Sequence, residues 1–294
     1  MSLKRFIHKL RVERAAKRSF EGYLLHWTNV ALQDGINRMP RPDKKLLRIL
    51  GNGDSLKSVV NTLSMDCDYM VMNSHVLHPS YTELKPRYYV LADPAFFHPN
   101  ACFDGTEVVK RILAETNWKM TLFVPWEHTR GVKLESTEWV TIQYVNQSLY
   151  KGPEQYREYL YEHNLAMPNV NNVLASAIYL AIYLGYPEVE LYGVEHSWTR
   201  DLYVNEQNHT CLKDSHFFDA EEVEGNVIID EEGKIMKFHE VLRAYADYFP
   251  AYWELQELAE KHHCHIINCT HGSFIDAFEK RTTNENLNHN NQLQ

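Results

Sequence analysis

The stretch Gly51-Asn52-Gly53-Asp54-Ser55-Leu56 combines residue types that can bind an anion. It follows an apolar run typical of a buried strand and precedes a run with helical spacing. Two glycines permit a tight turn and a close approach of a ligand to the backbone, and Asp54 or Ser55 can cap the helix. Free N–H groups at such a turn form a common phosphate site in α/β proteins. The third glycine of the dinucleotide fingerprint and the lysine of a P-loop are missing, so a capped turn without a ligand is the competing interpretation.

Two further polar residues follow predicted strands. Asn73 ends the apolar run Tyr69–Asn73, and Asp93 follows the run Tyr88–Leu91. Because the carboxyl ends of parallel strands meet at one edge of a sheet, we expect Asn52, Asn73 and Asp93 to face one crevice. There they would contact the base, ribose and phosphates of a nucleotide. Each residue could instead only cap the helix that follows it, as Asn and Asp often do.

The elements that would position these residues alternate between strand and helix. Short β-rich runs predict strands at Leu46–Leu50, Tyr69–Asn73, Tyr88–Leu91, Met120–Val124, Val140–Val145, Val189–Val194 and His265–Cys269. Helical spacing predicts helices at Ser55–Ser64, Thr106–Thr116, Asn171–Tyr186 and Ala251–His263. Buried strands alternating with helices predict an α/β fold. We expect a single Rossmann-like, doubly wound, mostly parallel sheet of about seven strands.

Three segments depart from this alternation and complete the predicted organisation. Residues 1–45 read as a basic amphipathic helical leader, and residues 281–294 as a disordered polar tail. The α/β domain spans residues 46–280, with a polar, poorly periodic insertion at about residues 197–238 that we interpret as a lid. The leader would lie on an anionic membrane surface or pack against the domain or a second subunit, and packing is favoured.

Composition and charge restrict the class of protein. The chain has 294 residues, a formal net charge of −9 and 44% hydrophobic residues, which suits a globular protein with a core. Residues 1–48 hold 12 Lys and Arg against 4 Asp and Glu, whereas the remainder holds 18 against 35. The acidic body argues against nucleic acid as a partner, because phosphate contacts need clustered positive charge.

Cysteine usage and hydropathy predict a cytoplasmic location. The five cysteines are scattered and include no C-x-x-C pair, which is typical of reduced thiols. No apolar run has the length of a membrane-spanning helix, and the basic N-terminus lacks the apolar core of a signal peptide. The leader would provide any peripheral contact with the inner face of a membrane.

The segment His262–His271 is rich in histidine and cysteine but does not predict a metal site. Its spacing matches no zinc pattern. Alternation along the predicted strand would also send these side chains to opposite faces. We therefore expect no metal site and no cofactor.

Four stretches occur in the order found in bacterial sialyltransferases of glycosyltransferase family 42, which the chain resembles over roughly residues 46–278. They are ILGNGDSL, VMNSH, AIYLGYPEVELYGVE and HIINCTHGSFIDAFE. A related family contains the archaeal 6-hydroxymethylpterin pyrophosphokinase. The resemblance implies one nucleotide-binding domain with a lid, and inverting, metal-independent transfer from a CMP-sugar. It also implies a role in bacterial surface polysaccharide biosynthesis, with a nucleotide-sugar donor and a glycan acceptor as partners. A homo-oligomer is left open.

The resemblance implies roles for individual strand-end residues. Asn52 and Asn73 match asparagines that contact the donor, and Asp93 stands where the sialyltransferases have another Asn. The Arg and Ser that hold the sialic acid carboxylate have no clear counterparts, so a different nucleotide sugar is an alternative. The predicted nucleotide-binding residues are Gly51, Asn52, Gly53, Ser55, Asn73, Asp93, Gly193 and Ser197.

The resemblance also places catalytic residues in and after the lid. Tyr203 matches one of two tyrosines that hydrogen-bond the departing phosphate, and the other falls on Ser197. Lys213 or Arg200 would add positive charge there. His239, with His216 as second choice, matches the family's base, which removes a proton from the acceptor hydroxyl near neutral pH. A solvated histidine at the start of a helix is the competing interpretation of His239.

Two other functions compete with a glycosyltransferase. Asp93 in place of Asn favours a magnesium-dependent, ATP-using pyrophosphokinase, because carboxylates would hold Mg²⁺ for diphosphate transfer. Loss of the second tyrosine at Ser197 is consistent with a non-catalytic nucleotide-binding or assembly protein.

Overall fold

The computed structural model describes residues 39–100, 103–150, 154–168, 172–213 and 225–281. Most of the predicted leader, the tail beyond residue 281 and the middle of the predicted lid therefore lie outside the described residues. His216 is among them. Within the described ranges, no helix has both the length and the apolar composition to cross a membrane.

The strands of the described chain form two sheets. Their bounds are β1 Leu46–Leu50, β2 Asp68–Met72, β3 Tyr88–Val90, β4 Met120–Pro125, β5 Val140–Val145, β6 Glu188–Tyr192, β7 Leu202–Val204, β8 Thr210–Leu212, β9 Asn226–Val227, β10 His265–Asn268 and β11 Glu279–Lys280. Eight of them pair in parallel in the order β11-β10-β6-β1-β2-β3-β4-β5. The predicted α/β class and parallel sheet are confirmed. The eighth strand, β11, was not predicted. It has only two residues, which is too short for an alternation of apolar and polar residues to be seen in the sequence.

Helices connect the parallel strands. Their bounds are α1 Leu56–Val59, α2 Ser80–Leu84, α3 Thr106–Glu115, α4 Glu154–Glu162, α5 Val173–Leu184, α6 Phe238–Ala246 and α7 Pro250–Lys261. The helix predicted over residues 55–64 was too long, because α1 ends at Val59 and continues only as a 3₁₀ turn, Val60–Thr62. The β-branched Val59 and Val60 at this break are weak helix formers.

The strand order reverses between β1 and β6. From β1 the chain builds the sheet outward through β2, β3, β4 and β5, then returns to place β6 on the other side of β1. The loops after β1 and β6 therefore leave the sheet in opposite directions. Open parallel sheets bind ligands in the crevice at such a switch point.

Two hydrophobic cores cover the two faces of the sheet. Along β1, Leu47 and Ile49 lie in one core and Leu50 lies in the other. Helix α5 is buried along almost its whole length, from Leu174 to Leu184. Its ends are capped by the Asn172 side chain and by Gly185 at φ +86°. A helix that is apolar on all sides is typical of the interior of a layered domain.

An ion pair crosses the seam between β1 and β6. Arg48 is paired in register with Glu190, and its Nε lies 2.8 Å from Glu190 Oε2. Arg281 contacts the other carboxylate oxygen at 3.2 Å. Glu190 is 6% exposed, so it needs these two partners to offset its desolvation.

The described cysteines are all buried. Cys67, Cys211, Cys264 and Cys269 form no disulfide with one another. Burial raises the pKa of the Cys264 thiol to about 12 and that of Cys269 to about 11.

The segment predicted as a lid contains its own small sheet. Strands β7, β8 and β9 pair antiparallel, with Tyr203 opposite Cys211. Helix α6 follows and packs near the 3₁₀ turn Trp198–Arg200. Three strands of two or three residues each are too short for alternation to reveal them in the sequence.

Candidate functional site

A cavity of about 370 Å³ lies at the carboxyl ends of β1, β2 and β6, at the switch point of the sheet. We call it the cleft. Its walls come from the loop after β1, from Met72 at the end of β2 and Asn73 just after it, and from the loop after β6. The other lining residues are Asn172, Val173, Leu174, Asp201, Lys213 and Tyr248.

The Gly51-Asn52-Gly53 turn is held against the end of β6. Gly51 N–H donates to Tyr192 O at 2.8 Å, and Gly53 N–H donates to Gly193 O at 2.9 Å. A Cβ added at Gly51 would lie 2.1 Å from the Gly193 carbonyl oxygen. The close approach that the sequence predicts for a ligand is therefore made by the protein's own backbone.

The start of α1 is already occupied by a carboxylate of the chain. Ser55 N–H donates to Glu195 Oε1 at 2.6 Å, and a Cβ at Gly53 would lie 1.6 Å from Glu195 Oε2. Helix α1 has only four residues, so its dipole is small. The predicted phosphate site at this N-terminus is not formed, and Ser55 does not line the cleft.

Three buried oxygen atoms at the cleft have no hydrogen-bond partner among the described residues. They are Asn52 Oδ1, Asn73 Oδ1 and Glu195 Oε2. Asn52 is oriented by its Nδ2, which donates to Met72 O at 3.2 Å, and Asn73 has a left-handed backbone at φ +50°. A buried acceptor without a partner is costly, which makes these atoms suited to the O–H or N–H donors of a ligand.

An aromatic cluster also borders the cleft. The Trp198 ring centroid lies 4.3 Å from that of His196, 5.2 Å from Tyr245 and 5.7 Å from Tyr248. His196, Trp198 and Tyr248 line the cleft. Their flat surfaces offer a nucleobase or a sugar ring an apolar face.

The charges at the cleft are of both signs. Carboxylates are contributed by Asp54, Glu195 and Asp201, and an ammonium group by Lys213. Lys213 N–H donates to Asp201 O at 3.1 Å, which fixes the end of β8 at the cleft. Arg200, the other predicted cation, lies instead over the Phe274 ring at 4.4 Å and does not line the cleft.

Several predicted site residues are brought together, and others are not. Gly51, Asn52, Gly53, Asn73, Gly193 and Ser197 line the cleft. Asp93 does not: its Oδ1 accepts the Ala95 N–H at 2.7 Å, so it caps the 3₁₀ turn Pro94–Phe96. Asp93 thus acts as a cap, and its predicted contact with a nucleotide stays a prediction.

Tyr203 and His239 also lie outside the lining of the cleft. Tyr203 is 37% exposed on β7. His239 is exposed at the start of α6, six residues before Tyr245, or about 9 Å along the helix axis. The catalytic roles of both residues, and of His216, stay predictions.

Sequence reasoning missed six polar or aromatic residues of the site: Asn172, Glu195, His196, Trp198, Asp201 and Tyr248. Glu195, His196 and Trp198 directly follow the β6 run "VELYGV", so the strand-end rule used for Asn52 and Asn73 would have found them. Tyr248 lies between two helices and carries no local signal. Among the residues that the structure describes, no group of three or more His, Cys, Asp or Glu side chains is arranged to hold a metal ion.

No family model and no curated protein matches the sequence. A comparison of structures finds the sialyltransferase CstII from Campylobacter jejuni, solved in complex with a substrate analogue, cytidine-5'-monophosphate. The match covers 82% of this chain and 86% of that chain, with 16% sequence identity and a TM-score of 0.42. A likeness of this degree assigns no chemistry to the residues of the cleft.

Proposed function

We propose that the cleft binds a nucleotide sugar and that the protein is a sialyltransferase-like glycosyltransferase. The observation that carries this proposal is the convergence of Asn52, Asn73, the aromatic cluster and Lys213 at the switch point of a parallel sheet. The sequence resemblance of the GNG and VMNSH motifs favours a CMP-sugar as the donor.

Each part of the cleft suits one part of such a donor. The unpartnered oxygens of Asn52, Asn73 and Glu195 would accept hydrogen bonds from ribose hydroxyls or a base amino group. Trp198 would stack on a ring. Lys213 would neutralise the phosphate, whose negative charge grows as it leaves.

The proposed reaction is an inverting displacement. An acceptor hydroxyl oxygen attacks the anomeric carbon, the bond from that carbon to the phosphate oxygen breaks, and its electron pair leaves with CMP. The hydroxyl proton passes to a base, for which His239 remains the first candidate and His216 the second. Helix α6 connects His239 to Tyr245, which contacts Trp198 of the cleft.

A nucleotide panel tests the binding step. We expect CMP to raise the melting temperature without magnesium, with UDP, GDP, ADP and ATP giving smaller shifts. A ligand at a hundred times its Kd stabilises the folded state by about 2.7 kcal/mol. Asn52→Ala should reduce the CMP shift, and Asn61→Ala, at an exposed Asn that does not line the cleft, should not. The absence of any nucleotide shift would contradict the proposal.

The pyrophosphokinase alternative keeps one supporting observation. Asp93 no longer supports it, but carboxamide and carboxylate oxygens such as those of Asn52, Asn73 and Glu195 are ligands that Mg²⁺ accepts. Stabilisation by ATP only in the presence of Mg²⁺ would favour this alternative over the glycosyltransferase.

Release of CMP from CMP-sugars tests the chemistry. We expect His239→Ala to slow transfer at least about a hundredfold if it is the base, and Tyr203→Phe to have a smaller effect. Nucleotide binding without turnover of any donor would favour the non-catalytic binding protein.

A further inference from the structure

His196 is held in an unusual position at the cleft. It is a non-glycine residue with φ +47°, three residues after Gly193, where the chain turns at the end of β6. The residue lines the cleft, its ring centroid lies 4.3 Å from that of Trp198 with the two planes tilted by 31°, and its Nδ1 lies 2.8 Å from Tyr252 Oη. A left-handed backbone is costly for histidine, so the neighbouring contacts must hold it there.

The direction of the hydrogen bonds behind His196 can be deduced. Asn172 Oδ1 accepts the Leu174 N–H at 3.0 Å, so its Nδ2 is the atom that donates to Tyr252 Oη at 2.6 Å. Tyr252 is fully buried, and burial raises the pKa of its phenol well above the ordinary value. The single hydroxyl proton therefore stays on Tyr252 Oη. Because Asn172 donates to this oxygen, the hydroxyl proton is donated to His196 Nδ1.

This chain of bonds sets the tautomer of His196. Nδ1 acts as an acceptor, so the ring proton is on Nε2. Burial lowers the pKa of His196 to about 3, which opposes a second proton on the ring. Nε2–H makes no hydrogen bond within the described residues, and a nitrogen that carries a proton cannot act as a base.

We propose that His196 donates its Nε2–H to an anionic phosphate oxygen of the ligand in the cleft, and that Asn172 and Tyr252 are positioning residues that set this tautomer. The identity of the phosphate as part of a nucleotide rests on the proposed function. Tyr203, for which the sequence resemblance predicts a contact with the phosphate, does not line the cleft. Among the described residues, the charged groups that share the cleft are Asp54, Glu195, Asp201 and Lys213, and of these four only Lys213 attracts a phosphate.

Nitrogen NMR of protein labelled with ¹⁵N-histidine tests the tautomer. The chain has 16 histidines, and the His196 signals are those lost in His196→Gln. We expect the Nε2–H form from pH 5 to pH 8 without titration. In Tyr252→Phe, Nδ1 loses its donor, so both tautomers and a titration should appear.

Tyr183→Phe is the matched control. It removes a hydroxyl from the same core at the other end of α5, about 16 Å along the helix axis from Asn172, and should leave the His196 signals unchanged. An Nδ1–H form or a titration near pH 6.5 in the unmodified protein would overturn the proposed tautomer.

Binding of CMP and cytidine tests the ligand contact. Hydrogen bonds to charged groups are worth about 1.5–3 kcal/mol, so His196→Ala should weaken CMP binding at least about tenfold more than it weakens cytidine binding. Equal losses for both ligands would mean that His196 only packs against the nucleoside, and the proposal would fail.

Inorganic phosphate separates this proposal from the proposed function. If neither CMP nor cytidine binds, the nucleotide-sugar function falls, but the contact with phosphate can still be measured. A change of the His196 Nε2 signal on addition of inorganic phosphate would then support the proposal, and an unchanged signal would overturn it.

Discussion

Two regions of different construction border the cleft. The strand ends after β1 and β2 are fixed by parallel pairing and by backbone hydrogen bonds, and both asparagines predicted there line the cleft. The inserted segment at residues 197–238 contributes Trp198, Asp201 and Lys213, whereas Tyr203 lies elsewhere. A residue beside a buried strand has its position dictated by the strand. A residue in an insertion is positioned by distant contacts.

Because parallel pairing fixes the central strands, we expect the largest loss in the free energy of unfolding from a substitution at the seam between β1 and β6. Glu190→Ala leaves Arg48 in a mostly buried site without its carboxylate, and we expect a loss of about 3 kcal/mol in the free energy of unfolding. The exposed pair Lys133–Glu135 provides the control, because Glu135→Ala should cost under about 0.5 kcal/mol. Urea denaturation measures both losses. Equal losses would contradict the prediction that the buried pair at the seam contributes more to stability than an exposed pair.

A methyl group at Gly51 should have the next largest effect. The added Cβ meets the backbone oxygen of Gly193, which cannot rotate away, so we expect Gly51→Ala to destabilise by about 2 kcal/mol. At Gly131 an added Cβ meets no atom within 4 Å, and only the backbone at φ +81° is unfavourable. Gly131→Ala should therefore cost about 1 kcal/mol. A smaller loss at Gly51 than at Gly131 would contradict the close packing of the turn.

His75, just after β2, should make stability depend on pH. The side chain is fully buried, and burial lowers its pKa to about 3, below the unfolded value of about 6.5. The unfolded chain therefore binds the proton first, and stability falls as the pH drops below 6.5. We expect a loss of about 1 kcal/mol between pH 6.5 and 5.5. In His75→Leu, the free energy of unfolding should fall less between pH 6.5 and 5.5. An unchanged pH dependence would contradict the burial of a neutral imidazole at His75.

The smallest effect is expected in the inserted sheet. Val204 is 47% exposed, so Val204→Ala should change the free energy of unfolding by about 0.5 kcal/mol or less. The same substitution at Val71, which is fully buried in β2, should cost about 2 kcal/mol. Similar losses at both positions would mean that the insertion is as tightly packed as the central sheet.

The parts of the fold that the sequence predicted are those with local signals. Apolar runs marked β1 to β6 and β10, and Asn52 and Asn73 followed from them. The small inserted strands and the two-residue β11 are too short for an alternation of apolar and polar residues to be seen in the sequence. The carboxylate of Glu195 at Ser55 joins residues 140 positions apart, and no local pattern predicts which anion will occupy a turn.

The burial of four cysteines has a practical consequence for measurement. Thiolates are the reactive form, and thiols enclosed in the core, with a raised pKa for Cys264 and Cys269, react slowly with alkylating reagents while the chain is folded. With Cys102 replaced by serine, modification of Cys67, Cys211, Cys264 and Cys269 would proceed only when their surroundings open. Each thiol then reports the opening rate of its own neighbourhood, Cys211 that of the inserted sheet and Cys269 that of the sheet beside β6. The four buried thiols can therefore be used to compare the rates at which different parts of the folded chain open.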